Sequence, residues 1–179
     1  MEKIENIISS KKFLIIAFGA LLLVFAFAGC VTLAAVGYTT FFAPREPIST
    51  NQFVAVAEFL SFDVRETQIG EHEHLTESRV IDSFTASRGT ALVVFSTCTN
   101  ENGARFTFDA YSNKIEGMFG SQNIRSERVV DALSWNHHSR RSPAALVVTT
   151  RIDNTVIFAS AETAEDVALI EELIAIIGY

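Results

Sequence analysis

Between Phe13 and Pro44 the chain carries no charged residue, and no other feature restricts its fold so strongly. A helix that crosses a hydrocarbon layer of about 30 Å needs about 20 apolar residues, and Phe13 to Gly37 supplies such a run. Tyr38, Phe41 and Phe42 follow it, where aromatic rings favour the headgroup region, and Pro44 then disfavours further helix. The sequence predicts one transmembrane helix over 13–42. Lys3, Lys11 and Lys12 precede it, whereas only Arg45 follows closely, beside Glu46. Positive-inside logic makes residues 1–12 cytoplasmic, 43–48 a short juncture and 49–179 a domain outside the cell membrane of a single-pass protein.

The same segment has a second reading. Phe27-Ala28-Gly29-Cys30 resembles a lipoprotein cleavage box, in which Cys30 would be lipidated after removal of the preceding residues. Phe27 stands where that box takes an aliphatic residue, and Val31 to Val36 stays apolar where a polar tether is usual. A retained anchor is therefore preferred, and both readings leave the domain outside and attached. The small residues Gly19-Ala20 and Ala26 to Gly29 would also permit close approach of another membrane helix.

From Arg45 onward there are 11 basic and 19 acidic residues, a balance of −8, and Lys114 is the one lysine. Proteins that hold nucleic acid present a basic face to the phosphates, so nucleic acid is not an expected partner. The two cysteines are Cys30 and Cys98, which leaves the outer domain without an internal disulfide. Cys98 follows the apolar run Ala91 to Phe95 and reads first as a small core residue.

Hydrophobic period then divides the outer domain. Ser49 and Gln52 stand in capping-box spacing before Phe53, Val56, Ala57 and Leu60, which predicts a short amphipathic helix. Asp63 to Glu77 is polar; Arg79–Ser87 and Thr90–Thr97 read as strands about Ser87-Arg88-Gly89, the second continuously apolar and central in its sheet. Ala104, Phe108, Tyr111 and Ile115 predict a second helix after Thr99, although Phe106, Phe108 and Ala110 also alternate as in a strand. Val129–Trp135 reads as a strand followed by a polar loop, Asn136 to Pro143. Ala145–Ile152 and Thr155–Ser160 flank Asp153-Asn154, residue types that tolerate the positive φ of a hairpin turn. A last helix opens at Thr163 and Asp166, runs through Val167, Ile170, Ile174 and Ile177, and stops at Gly178. The expected class is α+β: an αββαβββα order, a mainly antiparallel sheet, and helices packed on one face.

Three groups of residues invite chemistry. His72 and His74, in Glu71-His72-Glu73-His74, would share one side of an extended segment and suit zinc or copper, but no third ligand stands at a fixed spacing. Trp135, His137, His138, Arg140 and Arg141 concentrate aromatic, titratable and cationic groups in one stretch of an acidic domain. Guanidinium pairs suit phosphate or carboxylate, so anionic lipid headgroups or an anionic envelope polymer would fit there. Cys98 lies at a strand-to-helix junction, where a helix N-terminus lowers a thiol pKa, with His137 or His138 as a conceivable base. No GxSxG, HExxH, CxxC or glycine-rich phosphate loop occurs, and no cofactor is called for.

The layout resembles a group of short bacterial cell-surface proteins, membrane-anchored or lipoprotein-like. The resemblance rests on Ile48-Ser49-Thr50-Asn51-Gln52-Phe53, on Arg151-Ile152-Asp153-Asn154-Thr155-Val156-Ile157, and on a last helix finishing in Ile177-Gly178-Tyr179. It implies an anchored domain at the cell surface and transfers no functional residue. The expected function is a membrane-anchored extracytoplasmic binding or protein-interaction domain whose partner is a membrane or envelope protein or an anionic envelope component. The alternatives are an envelope-acting enzyme that uses Cys98 or the His137/His138 segment, and an accessory subunit of a membrane complex.

Overall fold

The structure, a computed structural model, describes residues 45–68, 79–118, 124–132 and 134–179. Among the described residues, three helices and seven strands follow in the order α1 (Thr50–Phe59), β1 (Asp63–Glu66), β2 (Val80–Arg88), β3 (Ala91–Cys98), α2 (Glu101–Met118), β4 (Ser126–Asp131), β5 (Trp135–Arg141), β6 (Leu146–Ile152), β7 (Thr155–Ala161) and α3 (Ala164–Ile177). The class is α+β, as expected. Among the described residues no helix is long and apolar enough to cross a membrane. The span expected over 13–42, Cys30 within it, and the pair His72 and His74 all lie outside the described residues.

The strands form one sheet in the order β1-β2-β3-β7-β6-β5-β4, with every neighbouring pair antiparallel. Two meanders meet where β3 pairs with β7, Phe95 opposite Ile157. Local signals set the turns: Asp153 takes φ +47° between β6 and β7, as its residue type allows. Gly89 takes φ +56° between β2 and β3, and a Cβ there would lie 2.9 Å from an Asp166 carboxylate oxygen. The Ser49 and Gln52 capping box is complete, with Ser49 N–H donating to Gln52 Oε1 at 2.8 Å. Thr163 caps α3, and Gly178 closes it at φ +78°.

Helices packed on one face do not describe the result. Val93, Phe95, Val148, Ile157 and Ala159 point to the face that carries α1 and α3, whereas Val94, Cys98, Val147, Val156 and Phe158 point to the face that carries α2. The reason is visible in β3: with all of Ala91 to Phe95 apolar, alternate side chains fall on both faces, so each face needs a helical cover.

The αββαβββα order was short by two strands. β1 pairs with β2 at the edge and buries little, Val64 alone being half-covered, so it has no apolar alternation to betray it. The expected strand over Val129–Trp135 and the loop after it are also corrected: β4 ends at Asp131, and Trp135-Asn136-His137-His138-Ser139-Arg140-Arg141 is itself a strand. Its polar side chains make the sheet because their donors and acceptors are met by neighbours on both faces, a tertiary effect that outweighs local propensity. Residues 101–118 are helical throughout, with Ala104, Phe108, Tyr111 and Ile115 buried, and the strand alternative there falls. Asn100 rather than Thr99 meets the first free amide, accepting from Gly103 N–H at 2.9 Å.

Candidate functional site

Because β5 is a strand, the cluster read from the sequence is divided. Trp135, His137, Ser139 and Arg141 face the side of α1 and α3; Asn136, His138 and Arg140 face α2. The five singled-out residues therefore do not converge on one point.

On the α2 side, His138 is 2% exposed and spans two elements. Its Nδ1 lies 2.6 Å from Ser112 Oγ on α2, and its Nε2 lies 3.0 Å from Glu127 Oε1 on the edge strand β4. Arg140 Nε donates to the same carboxylate at 2.8 Å, and its NH1 donates to the carbonyl of Glu116 at 2.6 Å. The Arg140 and His138 contacts hold the Glu127 carboxyl below its usual range. Ser112, His138 and Glu127 are the residue types of an acyl-transfer triad, and neither Ser112 nor Glu127 stood out in the sequence. The geometry around Ser112 does not continue the analogy. Ser112 lies inside α2, where backbone N–H groups are taken up by the helix, and an acyl-transfer site needs free donors beside the nucleophile. The chain of hydrogen bonds instead fastens edge strand β4 to α2.

At the other end of this face, Arg151 is fully buried. Its Nε donates to Asn136 Oδ1 at 2.5 Å, and its NH1 donates to the Asp153 carbonyl at 2.9 Å and to Glu101 at 3.3 Å. Asn136 in turn donates to Asp131. A buried guanidinium met by several acceptors is a satisfied structural group, and it locks the β6–β7 turn to the start of α2.

The opposite face of β5 is different. α3 lies over β3 and β7, leaving His137, Ser139 and Arg141 half-covered and Arg128 of β4, opposite Ser139, exposed. The Arg45 guanidinium sits 3.9 Å above the Trp135 ring. His137 is hydrogen-bonded through Nδ1 to Thr150 Oγ1 at 2.9 Å and through Nε2 to Ser139 Oγ at 3.0 Å. Burial first, then the charges of Arg128, Arg45 and His138, push its pKa down to about 4. Arg45 is itself held below its usual value by burial and by Arg128. Arg141 pairs with Glu171 of α3. Next to this row, His137, Leu146, Val148, Ile174, Ala175 and Tyr179 line a depression of about 270 Å³. The sequence pointed to Trp135, His137 and Arg141 here but not to Arg45 or Arg128; alternation within Ser126–Asp131 would have found Arg128 had that strand been recognised.

Cys98 is fully buried, its thiol 3.9 Å from Thr107 Oγ1, and burial pushes its pKa up. A protected thiol held neutral is the reverse of an activated nucleophile. Among the described residues no group of histidine, cysteine and carboxylate side chains could hold a metal ion.

Comparison with known proteins adds little. No protein-family model matches the chain, and no curated protein matches it. Among solved structures, the crystal structure of a GTP binding regulator from Thermotoga maritima matches with 16% identity and a TM-score of 0.40, over 73% of this chain and 90% of that one. A likeness of that degree carries no argument about function.

Proposed function

We propose that this protein is a membrane-anchored extracytoplasmic binding or interaction domain, held by the apolar segment over 13–42, that meets a partner at the membrane surface through the open face of β5. The observation that supports it most is that Arg45 and Arg128 flank the half-covered His137 on the face of β5 beside a mainly apolar depression, with Trp135 buried beneath Arg45. Arginine side chains at the edge of a concave surface are among the groups that carry most of the energy in recognition. The test is site-specific photocrosslinking of the full chain in membranes. A probe at Ser139 should give a discrete adduct, and one at the exposed Ile81 of β2 should not; equal yields at both sites would refute the assignment. Protease added to intact spheroplasts should degrade the C-terminal domain, and its survival would refute the topology.

An envelope enzyme is the second reading, and the Ser112, His138 and Glu127 arrangement is the observation in its favour. The place of Ser112 inside a helix and the burial of Cys98 weigh against it.

A further inference from the structure

The charge on the open face of β5 contrasts with that of the domain that carries it. From residue 45 onward the balance is −8, which would repel an anionic bilayer presented to the domain at random. Arg45 nonetheless lies on the Trp135 ring and Arg128 stands opposite Ser139, to which His137 is hydrogen-bonded, so the two guanidinium groups flank His137 on one face of β5. Among the described residues neither guanidinium has a carboxylate ion-pair partner, unlike Arg140 and Arg141 on the same sheet. Like charges gathered without a counter-charge are stabilised by an anion from outside the domain.

Chain length says where that anion would be. Arg45 follows Phe42, the aromatic end of the apolar segment, by three residues, a reach of about 10 Å at full extension. Since the Arg45 guanidinium lies on the Trp135 ring, the Trp135 end of β5 shares that short leash. A lipid leaflet is anionic at its surface and apolar just beneath. The protein surface presents both halves of the complement, guanidinium groups on β4 and at Arg45 and a mainly apolar depression lined by Leu146, Val148, Ile174 and Tyr179, whose one carboxylate, Glu171, is neutralised by Arg141.

We propose that the Arg45, Arg128 and His137 surface binds the anionic phospholipid headgroups of the leaflet to which the chain is attached, so that the domain lies on the membrane in one orientation. This rests on the membrane attachment proposed above. Trp135 is the one tryptophan in the chain and lies under Arg45, so it reports directly. The full chain is reconstituted in phosphatidylcholine vesicles containing a lipid with a nitroxide on its headgroup, with or without about 30 mol% phosphatidylglycerol, enough to give an anionic surface potential.

Quenching of Trp135 should rise at least twofold with phosphatidylglycerol, and should fall back in about 1 M salt, where the screening length is about 3 Å. Arg128→Gln, which leaves Arg45 on the ring, should weaken the lipid dependence about fivefold, the worth of one surface cation; the double variant Arg45→Gln/Arg128→Gln should abolish it. Thermal unfolding verifies that each variant is folded. Equal quenching in both vesicle types, or indifference of the phosphatidylglycerol dependence to Arg128→Gln, would overturn the proposal. Failure of the full chain to float with either vesicle would instead overturn membrane attachment itself, so the two readings fail separately.

Discussion

His137 makes the stability of the domain depend on pH between about 6.5 and 4, a window whose upper part lies above the ordinary carboxylate range. Its pKa in the folded domain is about 4, against an ordinary value of 6.5. Between those values the unfolded chain holds a proton that the folded one does not, so stability falls as pH drops through 6.5 and the loss levels off below 4. At about 1.4 kcal/mol per pKa unit, the loss relative to pH 7.5 is about 2 kcal/mol at pH 5 and about 3 kcal/mol at pH 4. Glu127 and Asp166, whose carboxyls are held below their ordinary values of 4.5 and 3.8, give up their contribution only as pH falls below those values. Urea unfolding of a fragment spanning 44–179, at pH 7.5, 6.5, 5.5 and 5, isolates the histidine. His137→Gln keeps groups able to bond Thr150 and Ser139 but cannot titrate. The stability difference between parent and variant should therefore shift by about 2 kcal/mol from pH 7.5 to pH 5, a change of about 1 M in relative urea midpoint at an m-value near 2 kcal/mol/M. Parallel pH curves would show that His137 is not buried beside Arg45 and Arg128, and would remove the electrostatic basis of the open face.

Other expectations follow from the same geometry. Arg151→Ala leaves the buried Asn136 amide oxygen without its donor and should cost about 3 kcal/mol, lowering the melting temperature by about 10 °C; a change under about 1 kcal/mol would contradict the burial of that guanidinium. Cys98 should not react with a thiol reagent until the domain is denatured, whereas rapid labelling of the native protein would revive the nucleophile reading. A fluorophosphonate probe should leave Ser112 unmodified, and an adduct there would mean that the Ser112, His138 and Glu127 chain does chemistry as well as holding β4. Gly89→Ala sets a Cβ against Asp166 at a positive φ and should cost about 1 to 2 kcal/mol by calorimetry; no loss would mean that the β2–β3 turn is not pinned to α3.

Much of the fold was legible because it was written in local signals. The Ser49 and Thr163 caps, the Gly178 stop and the Asp153 turn each act within four residues of chain, and the stripes of α1 and α3 declare themselves by the spacing of their apolar residues. What failed was local in the opposite sense. β1 and β5 carry no apolar alternation, so nothing in Asp63–Glu66 or Trp135–Arg141 distinguishes a strand from a solvated loop. The candidate site suffered most, since its residues were grouped by adjacency in sequence, whereas a strand sends neighbours to opposite faces.

The sequence by itself determined an α+β chain with a strongly apolar N-terminal run, caps and turns in their places, a buried Cys98 and an unusual density of histidine and arginine near residue 138. Only the tertiary structure decided what that density means. Pairing β5 between β4 and β6 commits His138 and Arg140 to Glu127 and α2, and leaves His137 on the far face with Arg45 and Arg128. The physical reason is that a side chain's charge state and partners depend on what long-range pairing brings within a few ångströms, and a two-residue alternation cannot be assigned to faces until the pairing exists.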